Sequence, residues 1–565
     1  MFNPIDTAKK EIKALILSAL GELIAQDKLP PEPIPAFNIE IPNDRSHGDF
    51  SSNIALVSAK AFRTNPRQIA SLLQLELEKI TDFFNKCEIA GPGFINFFLG
   101  NSWYSETINE IIAQKQDYGK TDTGNGKKVL VEFVSANPTG PMHIGNARGG
   151  ALGDCLSSVL ECAGYEVCRE FYVNDAGNQI EKFALSLDIR YRQHFGEEIE
   201  MPEDSYHGED IINHVKSFAE KYGDKYINSS EEVRKKALVD YALPININTL
   251  ETDLLKYRVK YDSWFRESTL HQNGAVDKVI EILRKNGHTY ESEGALWLKA
   301  TDFGADKDFV LVRSNGFPTY IVPDIAYHYD KLVTRGYDKA IDVLGADHHG
   351  YVQRMRICLK AMGIDEKRLD VVIMQMVRLI RVNENGEKET VKLSKRSGKA
   401  ITLSTLLDEV PIDAARFFFN LRDSNTHLEF DLDLAIEESS QNPVFYVQYA
   451  HARICRVLEK LKAENYSLDD YEDELKFITD TEISLVNKLV QLPNEVNLAA
   501  NEYNPARITR YCYETAQLFH KFYDECKIIG EEKAIMYSRM ALCIATKTVL
   551  SNMLNLLKVD APEKM

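Results

Sequence analysis

Apolar residues recur with two periods along the chain, and the change of period predicts alternating strands and helices. The continuous apolar run at residues 129–134 predicts a buried strand. Two further runs, at residues 341–344 and 371–376, repeat this pattern between helical stretches. The alternation favours a Rossmann-like, doubly wound parallel sheet, in which ligands bind beyond the carboxyl ends of the strands. A helix should follow the first strand, because apolar residues return there at helical spacing: Leu152, Cys155, Leu156, Val159, Leu160 and Ala163.

The same patterns divide the chain into three units, so we predict a multidomain α/β protein. Residues 1–118 begin with an amphipathic helix and are expected to form an α+β N-terminal domain. Residues 119–410 contain the strand candidates and should form the catalytic domain, with a charged helical insertion at about 195–270. From residue 411 to residue 565 the pattern is helical throughout, which predicts an all-α C-terminal domain.

Composition limits the class of protein without identifying it. The 565 residues are 44% hydrophobic, yet they contain no apolar stretch near the roughly 20 residues of a membrane span. The nine cysteines form no CxxC pair, which suits a reducing cytoplasm and supplies no zinc ligand set. A net charge of −18 argues against indiscriminate nucleic-acid coating, although residues 351–400 carry 12 Lys and Arg against 6 Asp and Glu. Such a local basic surface suits a large RNA, but it is also compatible with ordinary charge scatter.

The first candidate chemical motif is the turn-rich loop between the first strand and its helix. Residues 135–154 read SANPTGPMHIGNARGGALGD. A helix start attracts a phosphate through its unpaired N–H groups, and Gly145 would let a flat adenine approach the backbone. His143 would then donate to an α-phosphate whose charge grows during nucleotidyl transfer. Taken alone, His143 and Asn146 are better explained as side chains that only satisfy turn amides.

The second motif is a basic segment far along the chain. Residues 391–402 read VKLSKRSGKAIT, and Ser394 lies among the cations Lys392, Lys395 and Arg396. Lysine is a flexible point charge that can follow a triphosphate as it leaves. A solvated basic turn would explain this segment by itself, but both motifs in this order indicate a nucleotidyl transferase.

Together the motifs resemble the HIGH and KMSKS signatures of class I aminoacyl-tRNA synthetases. The resemblance is greatest to arginine-specific members, through SANPTGPMH, TYIVPDIAYHYDK from Thr319, NPVFYVQYAHARI from Asn442 and the DALR-like run at Asp413. It implies ligation of L-arginine to tRNA(Arg) with ATP through an arginyl-adenylate, with Mg²⁺ bound to ATP. It also implies attack by a 2′-hydroxyl, a need for tRNA in the first step, and a cytoplasmic monomer. One departure is Asn146, where the family usually has a second histidine; an amide cannot become cationic.

The arginine pocket should be formed around residues 320–324. Asp324 offers a planar carboxylate to a guanidinium, and Tyr320 adds a hydroxyl and an aromatic wall. Without the resemblance, Asp324 would be interpreted as an acid that stabilises a helix start. The resemblance further assigns Ser135 and Asn137 to the amino and carboxylate ends of arginine. It adds other residues near the two substrates: Asn146, His348 and Glu132 for arginine, and Gly345, Met376 and Val377 for ATP. No protein metal site is expected, because the adjacent His348 and His349 rarely point at one ion.

Candidate tRNA contacts lie in both flanking domains. In the N-terminal domain, Asn96 and Phe97 are similar to positions that touch the D-loop side of tRNA, although FINFFL also predicts a strand with Phe97 in the core. In the C-terminal domain, Tyr446, Tyr449 and Arg453 form a helical stripe that suits anticodon stacking or bundle packing equally. Weaker candidates are Arg396, Arg539 and Met565.

Two other functions remain open at this level. Another HxGH transferase, such as a synthetase for cysteine or glutamate, shares the motifs, but Asp324 would repel an acidic substrate. A catalytically dead paralogue that only binds tRNA is encouraged by Asn146. Exchange of pyrophosphate with arginine alone would exclude both.

Overall fold

The chain folds into an N-terminal α+β unit, a central parallel-sheet unit and a C-terminal helical unit, which confirms the predicted fold class. The computed structural model describes residues 2–42, 44–80, 83–383, 386–391 and 401–565. Within these ranges, no helix combines the length and the apolar character needed to cross a membrane.

The N-terminal unit packs helices against an antiparallel sheet. Strand β4 shows why the sheet forms here: Ile95, Phe97 and Leu99 alternate onto its buried face. The described strands lie in the order β1-β2-β4-β3. The elements are α1 (Pro4–Ala25), β1 (Ile39–Glu40), β2 (Phe50–Ser52), α2 (Ile54–Ser58), α3 (Pro66–Ile80), β3 (Phe84–Ala90), β4 (Phe94–Leu99) and α4 (Asn101–Gln114).

The central unit is built on a parallel sheet whose described strands lie in the order β12-β11-β5-β6-β7. The chain leaves β5 toward β7 and later returns to place β11 on the other side of β5, so the strand order reverses between β5 and β11. Ligands of such sheets bind at this switch point, beyond the carboxyl ends of the strands. The sheet and the long helix after its first strand are β5 (Lys128–Glu132), α5 (Ile144–Cys162), β6 (Glu166–Val173), β7 (Ser263–Arg266), β11 (Lys339–Gly345) and β12 (Leu369–Met374).

Three helices between β6 and β7 form a separate small core around Phe183, Tyr191 and Phe218. They are α6 (Asn178–His194), α7 (Glu209–Tyr222) and α8 (Glu231–Lys256). The predicted insertion at 195–270 was too long, because its last part is β7, a strand of the main sheet. β7 is only four residues long and half-buried, so its apolar signal is weak.

The remainder of the central unit packs against the sheet and shares a core with residues of its strands, among them Ala340 and Leu369. Its elements are α9 (Glu267–Gln272), α10 (Ala275–Lys285), β8 (Thr289–Ser292), β9 (Ala295–Leu298), β10 (Phe309–Val312), α11 (Ile321–Tyr329) and α12 (His349–Ala361). Strands β8 to β10 pair antiparallel, and α10 packs against α11. The N-terminus of α11 thereby faces the switch point.

A further sheet joins the central and C-terminal units. Its described strands lie in the order β14-β13-β15, and β15 runs parallel to β13. The prediction that residues from 411 onward are all helical was therefore wrong at β15, whose pairing partner is remote in sequence. The elements are β13 (Val377–Val382), β14 (Lys388–Thr390), α13 (Leu403–Glu409), α14 (Ile412–Phe419), β15 (Leu428–Asp431) and α15 (Leu432–Ile436).

The C-terminal unit is a helical bundle. Helix α20 lies at its centre and packs on α16, α17 and α19, and also on α4 of the N-terminal unit. The helices are α16 (Pro443–Ala463), α17 (Asp480–Leu489), α18 (Leu492–Asn501), α19 (Ala506–Glu525) and α20 (Lys533–Leu556).

Candidate active site

A cleft of about 950 Å³ opens at the switch point between β5 and β11. Most residues predicted from the sequence to bind arginine or ATP line it. The arginine set comprises Glu132, Ser135, Asn137, Asn146, Tyr320, Asp324 and His348, and the ATP set comprises Gly145, Asn146, Gly345, Met376 and Val377. Residues separated by more than 200 positions are thus brought to one surface.

The loop that leaves β5 has a strained backbone where it meets the cleft. Val134 and Ser135 have φ angles of +67° and +40°, which L-residues rarely adopt and which a β-branched valine adopts least readily. The Ser135 hydroxyl donates to the Glu132 carboxylate at 2.9 Å and accepts from the Tyr172 N–H at 3.1 Å. These bonds hold the turn that places Ser135 and Asn137 on the cleft wall.

The first motif begins α5, as predicted. His143 is the N-cap of the helix, and its backbone N–H donates to the Asn146 side-chain oxygen at 3.1 Å. Asn146 therefore supports the helix start, and its separate amide donor leaves it able to bind a ligand as well. A Cβ added to Gly145 would meet no protein atom within 4 Å, so the open space there faces the cleft.

Gly345 differs from Gly145 in what its missing side chain avoids. A Cβ at Gly345 would lie 2.6 Å from an Asp347 carboxylate oxygen. The exposed Asp347 side chain can turn away from such a contact, so the turn after β11 does not by itself require a glycine, and the room that Gly345 leaves is available to a ribose.

His143 lines a second cavity of about 730 Å³, which shares Met376 and Val377 with the main cleft. Val391 and Ile401, which flank the second motif, line this cavity as well. The Ile144 N–H donates to the Ile401 carbonyl at 3.3 Å. The motif residues Lys392, Ser394, Lys395 and Arg396 lie outside the described residues.

Two carboxylates give the main cleft its negative character. The pKa of Asp324 is raised to about 7, chiefly by burial; His328 and the Tyr351 hydroxyl act in the opposite direction, and the charges of Glu267 and Glu132 add to the rise. Burial also raises the pKa of Glu267, which lines the same cleft. Two acids whose ionisation is opposed by their surroundings form a site that a cation would stabilise.

The other carboxylates behind this wall are neutralised within the protein. The ammonium of Lys331, which is fully buried, donates to Glu132 at 2.6 Å and to Asp342 at 2.8 Å, while His328 contacts Asp342 at 2.8 Å. Glu132 and Asp342 are register partners on β5 and β11. The Lys331 ammonium lies 4.0 Å from the centre of the Tyr327 ring. These surroundings keep the pKa of Asp342 well below its usual range, so Asp342 stays charged and paired.

Sequence reasoning missed several residues of this site: Glu267, Lys331, Asp342, Tyr172, Asn174 and Gln179. Glu267 fell within the range that we predicted as an insertion. Asn174 follows the aromatic strand β6, and the rule that ligands bind at the carboxyl ends of parallel strands would have found it once β6 was recognised.

The candidate RNA contacts are placed unevenly. Phe97 is fully buried in β4, so its ring is a core element, and Asn96 is buried with its side-chain oxygen accepting from Ser51 at 2.8 Å. Arg539 is likewise buried and donates to Glu482 at 2.6 Å. By contrast, Met565 is exposed.

The aromatic stripe on α16 is only partly buried. The Arg453 guanidinium lies 4.9 Å from the Tyr449 ring centre and 4.5 Å from that of Tyr523. Tyr446 packs on His520, with ring centres 4.5 Å apart. The cluster combines stacked rings and a cation on one surface.

Comparison with protein families divides the chain in the same order as the fold. Residues 10–99 match the arginyl tRNA synthetase N-terminal domain, residues 107–454 match the class I (R) tRNA synthetase catalytic domain, and residues 447–565 match the DALR anticodon binding domain.

Whole-chain relatives agree with these matches. The arginine–tRNA ligases of Acetivibrio thermocellus and Caldanaerobacter subterraneus subsp. tengcongensis are 49% and 51% identical, each over 100% of both chains. Among solved structures, an arginyl-tRNA synthetase from Campylobacter jejuni is 34% identical with a TM-score of 0.74, covering 83% of this chain and 100% of its own. The Thermus thermophilus enzyme has the same fold, with a TM-score of 0.71 at 20% identity over 99% of this chain and 100% of its own.

Proposed function

This chain belongs to the arginyl-tRNA synthetase family, and we propose that the cleft between β5 and β11 is where it activates arginine. It attaches L-arginine to tRNA(Arg) with ATP, through an arginyl-adenylate, and releases AMP and pyrophosphate. What is proposed is the role of each residue.

Asp324 and Glu267 bind the guanidinium of arginine. The observation that carries this assignment is their raised pKa in a cleft whose other buried acids, Glu132 and Asp342, are already paired with Lys331. A guanidinium restores the missing positive charge and offers a planar set of donors to a carboxylate. Tyr320, which is 64% exposed at the cleft mouth, adds an aromatic wall.

The other end of arginine lies against the strained turn. Ser135 and Asn137 hold its amino and carboxylate groups, with Asn146 and His348 nearby. Glu132 acts through Ser135, because its carboxylate accepts the serine hydroxyl. The arginine carboxylate is thereby directed toward the start of α5, where the positive helix end favours a phosphate.

ATP occupies the side of the cleft between α5 and the ends of β11 and β12. Gly145 admits the adenine, Met376 and Val377 present their backbone to it, and Gly345 borders the ribose. His143 donates to the α-phosphate. Lys392, Ser394 and Lys395 follow the departing pyrophosphate. Mg²⁺ enters with the triphosphate, and the described residues contain no cluster of three or more His, Cys, Asp or Glu side chains that could hold it.

The reaction then proceeds in two balanced transfers. A carboxylate oxygen of arginine bonds to the α-phosphorus as the bond to pyrophosphate breaks. The terminal 2′-hydroxyl of tRNA next attacks the arginyl carbonyl, AMP leaves with the bonding electron pair, and the hydroxyl proton is released. The protein contributes mainly placement and charge stabilisation to these steps.

The C-terminal unit binds the anticodon through the cluster of Tyr446, Tyr449 and Arg453, since aromatic rings and a guanidinium can stack on unpaired bases. Arg396 and Met565 are secondary RNA contacts. The protein works as a monomer in the cytoplasm, and light scattering of the purified chain tests the first of these statements.

The guanidinium assignment is tested by binding of arginine against citrulline, its neutral isostere. Calorimetry should detect arginine binding, with citrulline weaker by at least about 30-fold because it brings no positive charge to Asp324 and Glu267. In Asp324→Asn this preference should fall by about tenfold, whereas the exposed-acid control Glu281→Gln should retain it. An undiminished preference in Asp324→Asn would exclude the assignment.

A further inference from the structure

Arg148 differs from the other buried arginines of the described chain in the groups that its guanidinium contacts. Arg169, Arg234, Arg416 and Arg539 each contact a carboxylate. Arg148 is fully buried in α5, yet within the described ranges it has no acidic partner and its Nε has no hydrogen bond. Burial lowers the pKa of Arg148 to about 10, so the side chain remains a cation at neutral pH. An unpaired buried charge is strongly unfavourable, so its position requires a reason.

The Arg148 guanidinium instead donates hydrogen bonds to three main-chain carbonyl oxygens. Its Nη1 donates to Gln375 at 2.7 Å and to Thr426 at 3.0 Å, and its Nη2 donates to Asp423 at 3.1 Å. These carbonyls belong to the link between β12 and β13 and to the turn before β15. Arg148 thus ties α5 to both segments with one rigid, planar fork of donors.

The two segments are also joined to each other beside the cleft. The Gln375 N–H donates to the Ser424 carbonyl at 2.8 Å, and the Leu428 N–H donates to the Met376 carbonyl at 3.2 Å. Gln375, Met376 and Val377 all line the cleft. The Met376 side chain is 72% exposed, so this stretch is held by its backbone and not by burial of its side chains.

We infer that Arg148 is a positioning residue for the nucleotide: it fixes the backbone of residues 375–377 against α5, so that the base of ATP meets a preformed edge of main-chain groups. The inference rests on the proposed assignment of Met376 and Val377 to ATP. Because main-chain groups placed at fixed positions can distinguish the amino group of adenine from the carbonyl of guanine, Arg148 also supports the preference for ATP over GTP.

The test compares nucleotide and arginine affinity in matched variants. Arg148→Gln keeps one donor without the charge, and Arg148→Lys keeps the charge without the fork. The control is Arg416→Lys, which alters another fully buried arginine that holds the carbonyls of Tyr257 and Leu557. Calorimetry with ATP, GTP and arginine gives the affinities, and thermal unfolding reports any loss of stability.

We expect Arg148→Gln to weaken ATP binding by about tenfold or more, to reduce the ratio of ATP to GTP affinity, and to change arginine affinity by less than about twofold. Arg148→Lys should lie between this variant and the unaltered chain, and it serves alone if Arg148→Gln does not fold. Arg416→Lys should lower the unfolding temperature without changing the ratio of ATP to GTP affinity.

Equal losses of ATP and arginine affinity, or an unchanged ratio of ATP to GTP affinity, would overturn the inference. Failure of the underlying ATP assignment looks different. Gly145→Val places a side chain where no protein atom lies within 4 Å of the added Cβ, so it should block ATP while the fold persists. If the unaltered chain binds ATP and Gly145→Val binds it equally well, the nucleotide lies elsewhere whatever Arg148 does.

Discussion

The acids of the cleft form two groups on one wall. The groups differ in the source of the positive charge that neutralises them. Glu132 and Asp342 are buried on neighbouring strands, and Lys331 bridges them from inside the protein. Asp324 and Glu267 begin two helices at the rim, and burial raises the pKa of both. The first group is paired with a buried lysine, whereas among the described residues the second has only histidines nearby, His271 at 3.7 Å from Glu267 and His328 close to Asp324. On the proposed assignment, acids that support the sheet are thus separate from acids that select the substrate.

This difference predicts opposite effects of removing one charge from each group. In the inner group, a lost charge leaves a buried partner unpaired and should harm folding. In the outer group, a lost charge removes an unfavourable carboxylate and should harm only substrate use. Four experiments examine this contrast, beginning with the largest expected effect.

Lys331→Met should lower the free energy of unfolding of the central unit by about 3–5 kcal/mol, because it leaves Glu132 and Asp342 buried without their cation. Urea unfolding followed by tryptophan fluorescence measures this loss in a Trp103→Phe background, where Trp264 and Trp297 of the central unit are the remaining tryptophans. Adding Glu132→Gln and Asp342→Asn to the same chain should recover much of the stability. A Lys331→Met protein as stable as the unaltered chain would show that the inner pairing does not support the sheet.

Asp324→Asn should reduce kcat/KM for arginine by at least about 2 kcal/mol, or roughly 30-fold. The free energy of unfolding of this variant at pH 8 should, by contrast, increase. The pKa of Asp324 rises from an ordinary 3.8 to about 7 on folding, so the folded state loses stability as pH increases across that window. At pH 8 the asparagine variant should therefore unfold at a higher urea concentration. A lower midpoint would place Asp324 among the supporting acids.

The pH dependence of arginine use follows from the same group. With a pKa of about 7, most Asp324 is protonated at pH 6 and most is ionised at pH 8, and only the ionised form binds a guanidinium well. The KM for arginine should therefore rise about tenfold between pH 8 and pH 6. Steady-state aminoacylation at saturating ATP and tRNA measures it. The Asp324→Asn profile should be flat, and a parallel rise in that variant would assign the titration to another group.

Glu267→Gln should have the smallest effect, a loss of about 1 kcal/mol in kcat/KM for arginine. Part of the loss is offset, because the negative charge of Glu267 raises the pKa of Asp324. Its removal should also move the midpoint of the KM profile to lower pH. An unshifted midpoint would show that the two acids act independently.

One acid of each group was anticipated from the sequence, Asp324 and Glu132, and one of each was missed, Glu267 and Asp342. Asp324 follows Pro323 at a recognisable helix start, so local pattern and family resemblance both identified it. Lys331 lies 199 positions from Glu132, and nothing local indicates that β5 and β11 will place Glu132 and Asp342 side by side. Glu267 follows a strand of four residues, too short to stand out from the helices before it.

The difference between local sequence patterns and long-range pairing also explains which predictions for the N-terminal and C-terminal units were correct and which were wrong. The alternation of FINFFL contained the correct prediction that Phe97 is a core residue, and the structure buries it completely. Strand β15 was missed because its pairing with β13 spans about fifty residues and is closed by a turn that Arg148 holds. Local periodicity thus identified elements, while long-range pairing determined where charged side chains lie.

The left-handed turn at Val134 and Ser135 has a consequence for how this enzyme can evolve. Replacing Val134 by glycine would relieve the backbone strain, but it would also let the turn adopt other conformations. The residues that are proposed to hold the reactive end of the substrate would then be positioned less precisely. For positioning the substrate, a rigid and strained turn is therefore better at that position than an unstrained but mobile one. Selection for a more stable protein and selection for faster catalysis should therefore favour different residues at this corner of the sheet.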